Sequence, residues 1–259
     1  MFFEVKNLSV DLSGKKIVKN VSFSVNKAEN IALIGTNGAG KTTLLKALSY
    51  LLKYSGTISV DNKNLSETGT KERAKLIAYV SQQSEINEDF TVCQFLELSR
   101  YPYRKPWEKL SEEDKNAIET ATNLTDTNQF AERKISSLSG GEKQRVLLAG
   151  AIAQESRILL FDEPLTYLDP VQRITISKII RKVAENNKIV ITVTHEINEA
   201  LVFSDRIIAL SDGELVFDGT PKEFLASNQL KTLYKSDFFT FGNIDNKKTL
   251  VFPVIENES

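Results

Sequence analysis

Three short stretches of this chain carry residues whose types and spacing could do chemistry on a phosphate. GTNGAGKT (35–42) fits the pattern G-x-x-x-x-G-K-S/T. Glycines there permit a tight turn whose backbone N–H groups point inward at anionic oxygens. Lys41 is placed to reach the β- and γ-phosphates of a nucleotide, and the hydroxyl of Thr42 to ligate Mg²⁺. The helix expected to follow adds its positive N-terminal end. Gly35, Thr36, Asn37, Gly38, Ala39, Gly40, Lys41, Thr42 and Thr43 are therefore the expected phosphate cradle. An empty glycine-rich strand–helix turn is the alternative, and the buried strand before it together with the helix after it argue against that.

The second stretch, RILLFDEPLTYLD, sets Asp162 and Glu163 just past an apolar strand. Beside a phosphate loop, Asp162 suits a magnesium ligand and Glu163 a general base that polarises water, which is the arrangement for phosphoryl transfer to water. Two further residues end apolar strands in the same way. His195, the only histidine, closes KIVITVTH and could contact a γ-phosphate and orient the water. Gln82 closes AKLIAYVSQ and could touch Mg²⁺ or the water, with Gln83 as the alternative. The third stretch is LSGGEKQR (138–145). Ser139 and Glu142 fit a capping box, so the stretch starts a helix. Its paired glycines, Gly140 and Gly141, also leave donors facing outward.

The elements that must position these residues follow from periodicity. Phe3, Val5 and Leu8, then Val21, Phe23 and Val25, have the period of two of a half-buried antiparallel sheet in the first 30 residues. IALIG, RILLF, KIVITV and DRIIAL read as strands of an α/β core, the continuous apolar runs among them as buried parallel ones, alternating with the helices KTTLLKALSYLL, QRITISKIIRKVAE and EINEALVF. Between about residues 84 and 154 strand signals fade, and SEEDKNAIETATNL reads as a helix capped by Ser111. The expected organisation is one α/β domain over 1–227, interrupted by a helical lobe at about 84–154, with a tail over 228–259.

Composition bounds the rest. The 259 residues are 41% hydrophobic and 26% charged, with 33 basic against 34 acidic residues. A net charge of −1 argues against a general nucleic-acid surface. One cysteine, Cys93, allows no disulfide within the chain and reads as a small half-buried apolar side chain. The N-terminus is not a signal peptide, and the longest apolar run (146–153) is far too short to span a membrane.

These motifs together resemble the ATP-binding subunit of an ABC transporter. GTNGAGKT resembles its Walker A, ILLFDE its Walker B and LSGGEKQ its signature; Gln82 matches its Q-loop, Leu168 and Asp169 its D-loop, and His195 its switch histidine. The order and spacing hold over roughly residues 1–225. The resemblance implies a P-loop NTPase fold: a mostly parallel sheet, an N-terminal antiparallel β subdomain and an inserted helical subdomain. It implies ATP and Mg²⁺ as cofactors, with Thr42, Gln82 and Asp162 at the metal. It implies a homodimer in which Ser139, Gly140, Gly141 and Glu142 of one copy close on the γ-phosphate held by the other, with Asp169 also at that junction. SRYPYRKPW (99–107), the acidic helix after it and the tail are similar to importers of iron–siderophores, haem and cobalamin. That group implies a permease pair docked near 99–107, an extracytoplasmic binding protein, and a place on the cytoplasmic face of the membrane. Two features depart from the family's habit: Leu12 stands where an adenine-stacking aromatic is frequent, and Leu165 and Tyr167 stand in a D-loop of usually small residues. Competing readings are a soluble ABC-type ATPase acting on nucleic acid or ribosomes, an exporter, and a non-catalytic nucleotide-binding module. The single cassette, neutral charge and intact Glu163 and His195 disfavour the first and the last.

Overall fold

A computed structural model of the chain describes residues 2–82, 87, 89–105, 107–242 and 249–254. Gln83 and the start of the expected helical lobe at Ser84 lie outside the described residues. The chain opens with an antiparallel hairpin, β1 (Phe3–Leu12) and β2 (Lys15–Val25). Its inward side chains, Phe3, Val5, Val21 and Val25, alternate as the period of two requires. The strands are longer than the sequence pattern indicates, because irregular register along β1 keeps pairing past each interruption. β3 (Glu29–Gly35) is buried at every position and leads through the phosphate loop into α1 (Lys41–Leu48). That helix ends at Leu48, short of SYLL. Tyr50 takes a left-handed conformation (φ 63°), and the Leu51 N–H closes back on the Lys46 carbonyl at 2.8 Å, a Schellman stop.

β4 (Ser55–Val60) and the short β5 (Lys63–Asn64) complete a four-stranded antiparallel sheet in the order β2-β1-β4-β5. α2 (Thr70–Leu76) then takes the residues AKL that read as strand in the sequence, so β6 is only Ile77–Val80. Helices alone occupy the following described segment: α3 (Val92–Ser99), α4 (Glu112–Thr125) and α5 (Gly140–Ala153), joined by 3₁₀ turns. The core resumes with β7 (Ile158–Asp162), α6 (Pro170–Glu185), β8 (Ile189–Val193), α7 (Ile197–Phe203), β9 (Arg206–Ser211) and β10 (Glu214–Gly219). The tail adds α8 (Pro221–Ala226), α9 (Gln229–Tyr234) and a hairpin of β11 (Phe238–Phe241) and β12 (Leu250–Pro253).

The main sheet runs β10-β9-β3-β8-β7-β6, parallel throughout except for the β9–β10 pair. It is therefore the mostly parallel α/β sheet, with an antiparallel N-terminal subdomain, expected from the sequence. α1 is buried between the two sheets: Leu44, Leu45 and Leu48 pack against Val5, Ile58, Leu33 and Ile191 in one cluster. On the opposite face, α5 and α6 cover β6, β7 and β8 through Leu148, Ile176 and Ile180 against Val80, Phe161 and Val190. α5 also turns Val146 and Ala149 toward Val92 and Leu96 of α3. One helix thus belongs to both the lobe and the core. No helix of the described residues is long and apolar enough to cross a membrane.

The lobe is pinned by Arg100. Its guanidinium, almost fully buried, donates to Asp114 of α4 at 2.8 Å, to Glu155 at 2.8 Å and to the Ala153 carbonyl at 2.6 Å. Asp114 closes the capping box of α4 on Ser111. Burial raises the carboxyl of Asp114, but the hydrogen bonds from Arg100 and Ser111 outweigh it and hold the group below the usual carboxylate range. Removing one partner of such a buried pair strands the other charge, at a cost of about 3–5 kcal/mol. Arg100→Ala is therefore expected to lower stability by about that amount. Urea unfolding measures it, and a loss below about 1 kcal/mol would show that the pair is solvated.

Candidate active site

The four strands β3, β8, β7 and β6 lie side by side and point the same way, so their carboxyl ends form one edge. The phosphate loop leaves β3, Asp162 and Glu163 end β7, Thr194 and His195 follow β8, and Gln82 follows β6. Residues up to 160 positions apart are gathered on that edge by the register alone, in which Asp162 pairs with Val193 and Val193 with Leu33.

In the loop, Gly40 stands at the N-cap of α1 with φ 96°. A Cβ there would lie 2.9 Å from the Ile17 backbone oxygen, so both conformation and space require glycine. The Lys41 ammonium donates to the Gly35 and Thr36 carbonyls at 2.9 Å each, which curls the loop around it. Burial lowers the Lys41 pKa, and the charges of Glu163 and Asp162 work against that shift. Thr42 Oγ1 donates to Asp162 Oδ1 at 3.0 Å. Tyr79 donates to Asp162 Oδ2 at 3.1 Å. A hydroxyl and a carboxylate brought together this way are the hard oxygen ligands that Mg²⁺ selects, so the residues present fit that ion.

Glu163 is the centre of a second group. Its Oε1 is 2.7 Å from His195 Nε2, and its Oε2 accepts from Gln82 Nε2 at 2.7 Å and Thr166 Oγ1 at 3.2 Å. Its backbone is left-handed (φ 51°), an uncommon place for glutamate, and is held by its N–H to the Val193 carbonyl. The structure thus brings Lys41, Thr42, Asp162, Glu163, Gln82 and His195 to one edge. In this arrangement Gln82 bonds Glu163 rather than Thr42 or Asp162.

The signature lies apart. Ser139 caps α5: its N–H donates to Glu142 Oε2 at 2.8 Å and its Oγ accepts from the Glu142 N–H at 3.4 Å, a complete capping box. Arg133 pairs with Glu142 at 3.3 Å. Among the described residues, no bond made by Ser139, Gly140, Gly141 or Glu142 reaches the phosphate loop, and the Gly140 and Gly141 N–H groups make none within the chain. Asp169 is also used locally, accepting from the Val171 and Gln172 N–H groups as the cap of α6. Leu12 is partly exposed at 39%; in the D-loop, Leu165 is buried, while Tyr167 stands 95% exposed. Cys93 is half-buried, its thiol against Glu97.

Sequence reasoning passed over Tyr79 and Thr166. The period of two in β6 puts Tyr79 on the α1 face with Ile77, opposite Ala78 and Val80, so a lone hydroxyl in an apolar strand was the available signal. Thr166 carried none, because its reach to Glu163 depends on the turn after β7.

Comparison with known proteins gives the family. A family model described as ABC transporter matches residues 18–166. The chain is 34% identical over 251 residues to the petrobactin import ATP-binding protein YclP of Bacillus subtilis (strain 168), covering 96% of this chain and 98% of the relative. It is 32% identical over 257 residues to the iron(3+)-hydroxamate import ATP-binding protein FhuC of the same organism, covering 98% and 96%. Among solved structures, a dimeric ATP-binding cassette in a post-hydrolysis state with ADP and Pi superimposes with a TM-score of 0.74 at 30% identity, over 85% of this chain and 98% of that one.

Burial raises the carboxyl of Asp162, against the hydrogen bonds from Thr42 and Tyr79 that lower it. A carboxyl raised in the fold stabilises the protein below its unfolded pKa, and that contribution is lost as pH rises through the folded value. At pH 7, above the usual carboxylate range, the raised Asp162 carboxyl therefore costs stability. Asp162→Asn is expected to raise its melting temperature at pH 7, with the gain shrinking as pH falls toward about 4. Thermal unfolding across that range checks it, and an equal or lower melting temperature at pH 7 contradicts it.

Proposed function

The chain belongs to the ABC transporter ATP-binding family, and on that basis we propose that it energises an importer of metal chelates of the iron–siderophore, haem or cobalamin type. The activity is hydrolysis of ATP to ADP and phosphate. The observation that carries the reading is Glu163, a carboxylate set beside the Lys41 loop and shared by His195 and Gln82. The relatives that match nearly end to end are importers of petrobactin and iron(3+)-hydroxamate by name, which supports the substrate class.

The chain's own residues divide the work. Gly35 to Thr43 cradle the phosphates, and Lys41 leaves its two carbonyls for the β- and γ-oxygens. Thr42 and Asp162 would hold Mg²⁺, with Gln82 turning from Glu163 to join them; the ion would supply charge neutralisation on the phosphates. An ionised carboxylate has about four acceptor positions. With the proton of His195 on Nε2, three are filled in this structure, by His195, Gln82 and Thr166. Once Gln82 turns to the ion, the position it leaves and the fourth are open to the attacking water. As that water adds to the γ-phosphorus and the bond to ADP breaks, its proton passes to Glu163, and His195 orients the γ-phosphate.

The partners proposed are a second copy of the chain, a pair of permease subunits and, through them, an extracytoplasmic binding protein, at the cytoplasmic face of the membrane. The Gly140 and Gly141 N–H groups, which make no hydrogen bond among the described residues, and the absence there of any bond from LSGGE to its own loop support a site completed by the second copy. No nucleic acid is involved. Lys41→Ala is expected to abolish hydrolysis. Glu163→Gln is expected to bind ATP, turn over at least about a hundredfold more slowly and elute as a dimer on size exclusion with ATP. Normal turnover in either variant, or a monomer only, contradicts the reading. Uptake of radiolabelled ferric chelates by cells lacking the protein tests the cargo class.

A further inference from the structure

The first turn of α6 touches three loops at once. Asp169 caps it, Gln172 lies against the signature helix, and Arg173 reaches the loop after the switch histidine. A Cβ on Gly141 would fall 2.8 Å from Gln172 Oε1, an oxygen that is buried without a hydrogen-bond partner, so signature and α6 are in tight apposition. One residue on, Arg173 Nε donates to the Leu168 carbonyl in the D-loop at 3.0 Å, and its Nη1 pairs with Glu196 at 2.5 Å. Glu196 is the neighbour of His195, and its own N–H is fixed on Thr194 Oγ1 at 3.0 Å. A single planar guanidinium therefore spans the D-loop backbone and the histidine loop, using two donors of fixed relative direction.

We propose that Arg173 is a positioning residue for His195, and that through it the first turn of α6 transmits the state of the signature and D-loop to the histidine that faces Glu163. The first half stands on this chain alone. The second half rests on the two-copy reading above, in which residues 139–141 and 168–169 meet the partner.

The surroundings leave Arg173 no equivalent substitute. Glu199 of α7 also faces it: burial chiefly, then the Glu196 charge, raises that carboxyl, and Arg173 works in the opposite direction. Without the guanidinium, two carboxylates on neighbouring turns repel each other across the start of α7, and Glu196 is free to swing with His195. Lysine retains the charge but cannot make both contacts in the same geometry. Arg181, lower on the same helix, pairs with Asp205 and Glu185 far from the site and is a matched control for losing an ion-paired arginine.

Steady-state hydrolysis, thermal unfolding and size exclusion on the full chain test the proposal. Arg173→Ala and Glu196→Gln are each expected to lower kcat at least about tenfold with KM for ATP unchanged. Arg173→Lys should lie near Arg173→Ala, and the double variant should be no slower than the singles, since both break one link. Arg181→Ala should keep the wild-type kcat. Wild-type kcat in Arg173→Ala overturns the proposal, as does a fall matched by Arg181→Ala or confined to KM. Should Arg173→Ala not fold, Glu196→Gln decides by the same criteria. In a Glu163→Gln background, Arg173→Ala should still dimerise with ATP. If Glu163→Gln alone does not dimerise, the two-copy reading fails, and the kcat effect still decides the role of Arg173 within one chain.

Discussion

The parallel ladder of β3, β8, β7 and β6 is the constraint on which the rest depends. Parallel strands cannot be joined by hairpins, so each must be followed by a crossover, and every crossover here starts at the same edge of the sheet. Loops that carry function are thereby concentrated on that edge, while apolar strand interiors remain buried under α1 on one face and α5 and α6 on the other. The Thr42–Asp162 contact, across 120 positions of sequence, and the His195–Glu163 contact, across 32, follow from that order of strands.

Within the edge, the polar side chains satisfy one another. Lys41 is hydrogen-bonded by two carbonyls, Asp162 by two hydroxyls, and Glu163 by an imidazole, an amide and a hydroxyl. Buried or half-buried polar groups left unmatched would each cost about 1–3 kcal/mol, so this mutual satisfaction is what lets the site exist without a ligand. It also means that binding must exchange partners. In the proposed mechanism Lys41 would trade carbonyls for phosphate oxygens, and Gln82 a carboxylate for the metal. Such exchanges involve similar hydrogen bonds before and after, which suits a machine that must bind and release at each turn.

The helical lobe solves a different problem. It must hold the signature outward while remaining fixed to the core. α5 does both, with Ser139 and Glu142 satisfying its first turn and Leu147, Leu148 and Ala151 in the core cluster at its far end. Arg100 seals the lobe at that same end, with its charge matched by two carboxylates and a carbonyl. The segment 99–107 that reads as an aromatic surface loop in the sequence is therefore part brace and part surface: Arg100 and Pro102 are buried, whereas Tyr101, Tyr103 and Trp107 are exposed.

What the sequence determined by itself was local. The phosphate loop, the acidic pair after an apolar run, the lone histidine and the capping box of LSGGE each depend on a few adjacent residues, and the strand and helix periods that place them are equally short-ranged. Helix ends were less legible. α1 ends early because Tyr50 accepts a left-handed turn, and α2 absorbs residues that read as β6, both decided by backbone closure and by neighbours. The tertiary structure alone decided which hydroxyls meet which carboxylates. Tyr79 reaches Asp162, Thr166 reaches Glu163 and Arg173 joins Leu168 to Glu196 because strand order and the packing of α6 set those distances. It also decided that, among the described residues, LSGGE makes no hydrogen bond to its own phosphate loop. A capping motif specifies where a helix starts, but the direction in which that start points is set by the packing of the whole helix against its neighbours.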